Sequence, residues 1–180
     1  MRDRFDGRAR PTFRAAIAMA ACSVMLSGCG LLFQNHEKRA EATLTPTPGN
    51  TARGTIVLIE RADGVQVSYN LTDMPPNSEH ALQVHERGDC IGVSGQDAGP
   101  VFALQSDRKR PYARLEGELG NIRADAAGAA TGFIVATDVS LDGVRSVISR
   151  AIMLHREATD PYAMYPHNVG PALACGVIRR

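Results

Sequence analysis

The stretch HALQVHERGDC, residues 80–90, contains side chains that could bind a metal ion. Alternate side chains of an extended strand lie on the same face, so Gln83 and His85 share one face and Leu82 and Val84 the other. Side chains at positions i and i+2 are close enough to contact one ion. Glutamine is a poor metal ligand beside an imidazole. The stretch therefore indicates a metal site that has been weakened or adapted to another role.

The whole chain has the composition of one ordinary globular domain with an added segment. It has 180 residues, 44% of them apolar and 22% charged, with no tryptophan and a formal net charge of +1. A charge so close to neutral gives no electrostatic basis for binding nucleic acid, and no such partner is expected. No stretch after residue 33 is apolar enough to cross a bilayer.

The N-terminus is predicted to be a secretion signal that ends in a lipid-modified cysteine. Residues 1–14 carry five arginines and residues 15–28 form a short apolar run, an order typical of a signal peptide. Residues 26–29, LSGC, resemble the lipobox of bacterial lipoproteins. The resemblance implies that residues 1–29 are a lipoprotein signal peptide whose Cys29 takes the lipid. Gly30 at the next position favours the outer membrane, with the protein facing the periplasm.

After the signal, the pattern predicts a tether and one domain built from strands. Residues 30–53 are polar and end in TLTPTPGNTAR, which is typical of a flexible linker. Residues 54–180 contain short apolar runs separated by turn residues, and RADG and DAAG each indicate a hairpin. This spacing favours an antiparallel β-sandwich or barrel. Two irregular segments, residues 86–118 and 156–172, are predicted to be long loops, which are often functional.

Five motifs of this domain together resemble the copper/zinc superoxide dismutase family, in order and at similar spacing. They are HALQVHERGDC, DAGPVF, GELGNIRADAAGAA, SRAIMLH and ALACGVI. The resemblance implies an all-β fold, an eight-stranded antiparallel Greek-key β-barrel with two long loops. Once Cys22 and Cys29 are assigned to the signal segment, two cysteines remain, which in an oxidising compartment suggests one disulfide. The resemblance likewise implies a bond between Cys90 and Cys175.

The metal ligands of that family are only partly present at the matching positions. The four copper-binding histidines fall on Gln83, His85, Val101 (the histidine that bridges to zinc) and His155. The zinc site has lost its ligands, because no histidine lies between His85 and His155. Three more family positions have changed: a zinc histidine matches Leu115, the zinc aspartate matches Glu118, and the rim arginine that attracts superoxide matches Ala172.

The resemblance therefore predicts no zinc and at most one copper ion. Structural zinc needs about four ligands, mostly cysteine or histidine, and one glutamate does not replace them. His85 and His155 would supply two imidazoles to a weak copper site, and Gln83 a carbonyl oxygen. His167, in the segment YPHNVG, is a further candidate ligand.

Three functions are compatible with these retained and lost residues. The first, which we expect, is a superoxide dismutase-like envelope lipoprotein with little or no dismutase activity, acting as a binding or structural module for an unidentified envelope protein. The second is a periplasmic copper-binding or copper-handling protein. The third is a low-activity, copper-only superoxide dismutase. Gln83 and Val101 count against the third, because members of the family without zinc keep all four copper histidines.

Overall fold

In the described part of the chain, the regular structure consists of eight β-strands and three short 3-10 helices. The computed structural model describes residues 37–109, 113–160, 162 and 169–180. The strands are β1 (Arg39–Pro46), β2 (Arg53–Arg61), β3 (Gly64–Thr72), β4 (Glu79–Val84), β5 (Glu118–Arg123), β6 (Ala130–Ala136), β7 (Ala151–His155) and β8 (Ala172–Val177). The 3-10 helices are Val93–Ala98, Asp107–Lys109 and Gly143–Arg145.

All paired strands are antiparallel, and they form a nearly closed barrel. Their order around the sheet is β5, β4, β7, β8, β1, β2, β3, β6, so β5 and β6 are the two ends. β2 and β3 form the predicted hairpin around the RADG turn. The connections from β3 to β4 and from β6 to β7 join strands that are not neighbours, which is the Greek-key arrangement. The predicted eight-stranded Greek-key barrel is therefore confirmed.

The core forms because strand residues alternate between the interior and the outer face. In β3, Val65, Val67 and Leu71 are at most 1% exposed, whereas Gln66 and Ser68 point outward and are partly exposed. Burying each such aliphatic side chain stabilises the fold by about 1.5–3 kcal/mol. The interior is thus filled by aliphatic side chains, which leaves the outer face of the barrel for polar chemistry.

The predicted tether at residues 30–53 is wrong for residues 39–46, which form β1. Ala40, Ala42 and Leu44 point into the barrel and are buried. β1 pairs with β2 along most of its length and with β8 at its end. The local pattern does not mark this strand, because alanine is a weak strand former and the strand leads into a Thr-Pro segment. The domain therefore includes residues before Gly54; residues 1–36, with the predicted signal peptide, lie outside the described residues.

The second predicted hairpin, around DAAG, is correct as a turn but not as a strand pair. Asp125 and Gly128 close the turn through a backbone hydrogen bond of 3.1 Å, and the Asp125 carboxylate accepts from the Ala127 amide. The strands that flank this turn do not pair with each other: β5 pairs with β4, and β6 pairs with β3. The turn therefore joins the two open ends of the sheet.

Two long connections bring further groups to the outer face of β4, β7 and β8. One runs from the end of β4 to β5 and the other from the end of β7 to β8. Because β4 and β7 are antiparallel, these connections start at opposite ends of the barrel. A disulfide between Cys90 and Cys175 ties the first connection to β8, as expected. Within the described ranges, no helix is both long and apolar enough to cross a membrane.

Candidate metal centre

Two buried histidines face each other on the outer side of the barrel. His85, just after β4, is 8% exposed, and His155, at the end of β7, is 5% exposed. Their Nε2 atoms are 3.0 Å apart, and their ring centroids are 5.2 Å apart. The rings therefore meet edge to edge, nitrogen to nitrogen, rather than face to face. The structure thus brings together two histidines that are 70 residues apart in sequence.

A backbone carbonyl fixes the tautomer of each ring. The Nδ1–H of His85 donates to the Gly99 carbonyl oxygen at 2.6 Å, and that of His155 donates to the Gly170 carbonyl oxygen at 3.0 Å. A carbonyl only accepts, so in each neutral ring Nδ1 carries the proton and Nε2 carries a lone pair. The two Nε2 atoms then meet as two acceptors with no hydrogen between them. Metal-binding histidines are typically held by this kind of Nδ1–H bond to a carbonyl.

Both carbonyls belong to a Gly-Pro step, which is a signal visible in the sequence. Gly99 precedes Pro100 and has a φ of 75°, and Gly170 precedes Pro171 and has a φ of 69°. This left-handed conformation is unfavourable for residues with a Cβ. A Cβ at Gly99 would also lie 2.9 Å from Nη1 of Arg87. The two glycines therefore turn their carbonyl groups toward the histidines in a backbone conformation that would strain any residue with a Cβ.

Gln83 lies between the two histidines and is buried without a partner. It pairs across the strands with Met153, and His85 and His155 each follow that pair by two residues on antiparallel strands. The histidines therefore approach each other over the Gln83–Met153 pair. Gln83 is 1% exposed, and neither its Oε1 nor its Nε2 has a hydrogen-bond partner among the described residues. A buried unpaired amide is unfavourable, so Gln83 adds an orphaned side chain to the two opposed Nε2 lone pairs.

We predict that replacing Gln83 with leucine stabilises the metal-free protein. Leaving a buried polar group unpaired costs about 1–3 kcal/mol, and leucine removes that group at similar volume. Urea unfolding of the metal-free Gln83→Leu variant should therefore give a free energy of unfolding about 1–3 kcal/mol higher. Gln66→Leu on β3 is the matched control, because the Gln66 amide donates to Ser68 Oγ at 3.1 Å. A less stable Gln83→Leu variant would mean that the amide has a partner after all.

Burial also keeps both imidazoles neutral. Burial lowers the pKa of His155 to about 4; the Gly170 carbonyl opposes this shift, and His85 adds to it. Burial lowers the pKa of His85 as well, against the opposing effect of the Gly99 carbonyl. Near neutral pH no proton is therefore available to lie between the two Nε2 lone pairs. The arrangement suits a bound metal cation better than a proton.

The low pKa of His155 predicts a pH-dependent stability of the metal-free protein. In the unfolded chain this imidazole gains a proton near pH 6.5, and in the folded chain only near pH 4. Between these values the unfolded state binds more protons, so stability falls as the pH falls and levels off below about pH 4. The loss should approach about 3 kcal/mol in urea unfolding. In His155→Gln this component of the slope should be absent; an identical slope would contradict the assignment.

The positions that would complete a dismutase centre hold residues without the needed chemistry. Val101 bridges to the backbone of His85, so an aliphatic side chain lies where an imidazole would be needed. Leu115 is apolar, and its backbone N–H donates to the Glu118 carboxylate at 2.9 Å. Ala172 is fully buried and offers no cation. Among the described residues, no group of three or more His, Cys, Asp or Glu side chains could hold a metal ion.

The remaining sequence candidates either support the site or lie outside the described residues. His80 has a structural role: its Nδ1–H donates to the carbonyl oxygens of His155 and Arg156, at 2.9 and 3.0 Å. It thus holds the backbone at His155. His167, predicted as a further copper ligand, and Cys29, predicted to carry the lipid, lie outside the described residues.

Comparisons with known proteins agree with the fold. The family model described as copper/zinc superoxide dismutase matches residues 52–178. A Cu-Zn superoxide dismutase of Candida glabrata is 31% identical over 153 residues, which cover 78% of this chain and 96% of the relative. One of Talaromyces marneffei is 33% identical, with 70% and 88% covered. The solved structure of the clock protein EA4 is similar with a TM-score of 0.66 and 32% identity, covering 79% of this chain and 94% of that one.

Proposed function

Because this chain belongs to the copper/zinc superoxide dismutase family, we propose that it retains the barrel but binds a single copper ion and is not an efficient dismutase. The observation that carries this proposal is the histidine pair. Two Nε2 lone pairs lie 3.0 Å apart in buried, neutral imidazoles whose Nδ1–H groups are already held by carbonyls. This differs from the function first expected from the sequence, a module without a metal.

The donor set of the histidine pair fits copper, whereas the former zinc positions no longer fit zinc. His85 and His155 would hold a copper ion through Nε2, and the orphaned Oε1 of Gln83 is a further oxygen donor on that face. Copper accepts imidazole nitrogen with an additional oxygen. At the former zinc positions, Leu115 has no donor side chain and Glu118 alone does not make a four-ligand site. Bound copper would supply one-electron redox chemistry.

The residues around the site explain why dismutation would be inefficient. Val101 lies beside His85 and can neither release nor accept a proton, so no imidazole is available to move a proton at that position. The buried Ala172 leaves the matching rim position without a cation that would attract an anionic substrate. His85 and His155 therefore retain a capacity to bind, while the groups that would support turnover are replaced.

Copper competition titrations of the full chain test this proposal. We expect His85→Ala and His155→Ala to abolish binding of the single copper ion, with little loss of thermal stability. His80→Gln is the matched control, because His80 is a buried histidine that holds backbone rather than a metal. The copper-loaded protein should remove superoxide no faster than its His85→Ala variant. Undiminished copper binding in both alanine variants, or efficient dismutation by the loaded protein, would overturn the proposal.

A module without a metal, as first expected from the sequence, is the second candidate function. The barrel and its Cys90–Cys175 disulfide are intact, which favours this candidate. In contrast, the metal-ligand and rim-cation positions of the family have changed, and they hold Gln83, Val101, Leu115 and Ala172. Its partner would be an envelope protein. This candidate predicts that the His85→Ala variant keeps the full biological activity of the protein, whereas the copper proposal predicts that it does not.

We further propose that the protein is lipid-anchored at Cys29 and faces the periplasm. β1 starts at Arg39, so an extended segment between the lipid and the barrel would reach only about 30 Å. The barrel would then stay close to the membrane surface. Cys29→Ala should prevent lipid attachment and move the processed protein out of the membrane fraction, with Cys22→Ala as the matched control. Equal membrane association of both variants would contradict the anchor.

A further inference from the structure

A cavity lined by three arginines lies at one end of the barrel, apart from the histidine pair. It has a volume of about 590 Å3, and its walls come from the loop that follows β4, the 3-10 helix Gly143–Arg145 and the residue just before β7. The charged residues that line it are Arg87, Arg108, Arg150 and Glu86. Three guanidinium groups and one carboxylate leave the cavity with a net charge of about +2.

Two of these arginines are held in place by hydrogen bonds to backbone carbonyl groups. The Arg150 guanidinium lies 3.8 Å from the centroid of the Phe102 ring. It also donates to the carbonyl oxygens of Glu86 at 2.7 Å and Ser146 at 2.9 Å. Arg108 donates to the Ala103 carbonyl oxygen at 3.2–3.3 Å and forms an ion pair with the Glu86 carboxylate. A ligand would therefore meet guanidinium groups that are already ordered, which reduces the entropy lost on binding.

Several guanidinium nitrogens in this cavity have no partner within the described part of the chain. Arg87 makes a hydrogen bond only through Nε, so its Nη1 and Nη2 are unused. Arg150 has an unused Nη2, and Arg108 has an unused Nη1. Burial and the neighbouring charge of Arg108 both lower the pKa of Arg150. Two like charges held near each other in a partly buried cavity are unfavourable, and a bound anion would relieve this repulsion.

We propose that this cavity binds a phosphate group, with Arg87, Arg108 and Arg150 as its donors. A tetrahedral oxyanion has oxygens for several guanidinium groups at once, whereas a single carboxylate is saturated by one or two. The same chemistry occurs in free phosphate and in an anionic phospholipid headgroup. The proposal does not depend on copper binding at the histidine pair.

The test uses the full chain in detergent with two phosphate probes. Binding of inorganic phosphate and of a short-chain phosphatidylglycerol is followed by calorimetry, with sodium chloride at equal ionic strength as the reference. We expect saturable binding of at least one probe. Binding of the lipid alone identifies the headgroup as the ligand, and binding of inorganic phosphate identifies the phosphate group itself. Absence of binding by both probes would overturn the proposal.

Three variants assign the binding to this cavity. Arg108→Gln should raise the apparent dissociation constant for the phosphate probe by about tenfold or more, because it removes a charged donor. Glu86→Gln should lower the dissociation constant by about fivefold, because it removes the competing carboxylate. General damage to the fold would not produce this tighter binding. Arg53→Gln is the matched control: Arg53 is an exposed arginine at the start of β2 that pairs with Asp73. Equal effects of Arg53→Gln and Arg108→Gln would contradict the assignment.

Discussion

Replacing both Cys90 and Cys175 with alanine is expected to lower the free energy of unfolding by about 4 kcal/mol. The disulfide joins residues that are 85 apart in sequence, and restricting a loop of this length in the unfolded chain stabilises the fold by about 4–5 kcal/mol. Alanine avoids a free thiol and a buried hydroxyl at Cys175, which is 2% exposed. Urea unfolding of the oxidised wild type and of the double variant measures the difference.

The loss of this bond should also affect the histidine pair. The connection from β4 to β5, which contains Cys90, also carries Gly99, whose carbonyl accepts the Nδ1–H of His85. Without the disulfide, this connection is less restricted, and we expect weaker copper binding as well as lower stability. Fully reduced wild-type protein is the matched control and should behave as the double variant does. A stability loss below about 1 kcal/mol would mean that the unfolded chain is restricted by other means.

Restoring two imidazoles, with Gln83→His and Val101→His, is expected to raise copper affinity by at least about 100-fold. Gln83 lies between the existing histidines, and Val101 bridges to His85, so both new rings would reach the same space. Copper favours imidazole over an amide or an aliphatic group. Competition with a chelator of known affinity measures the gain.

A second double variant controls for the added histidines. Gln66→His with Ile91→His places two imidazoles on β3 and in the connection after β4, both away from the pair, and should leave the affinity of the single site unchanged. If Gln83→His with Val101→His gives no more than this control, then the two positions do not face His85 and His155.

The sequence predicted those parts of the fold that local patterns determine. Val65, Val67 and Leu71 in β3 alternate with polar residues, and the Asp-Gly turn before them is a local hairpin signal. β1 was missed because Ala40 and Ala42 have too little side chain to mark an inward face. The strand partners on either side of the DAAG turn depend on contacts between distant residues, which no local pattern contains.

The candidate site was predictable to a similar extent. Gln83 and His85 could be grouped from strand alternation alone, whereas His155 entered only through the family resemblance, because 70 residues separate it from His85. The burial of the Gln83 amide without a partner depends on three-dimensional packing and could not be read from the sequence. The carbonyls of Gly99 and Gly170 could have been suspected from the two Gly-Pro steps.

The metal content of the full chain tests the central claim most directly. The protein would be purified in detergent, exposed to copper and zinc together, dialysed thoroughly and analysed by elemental mass spectrometry. Two neutral imidazoles whose Nε2 atoms lie 3.0 Å apart, with no cluster of ligands for zinc in the described residues, predict one copper and no zinc per chain. Retention of zinc, or of no metal at all, would contradict the account.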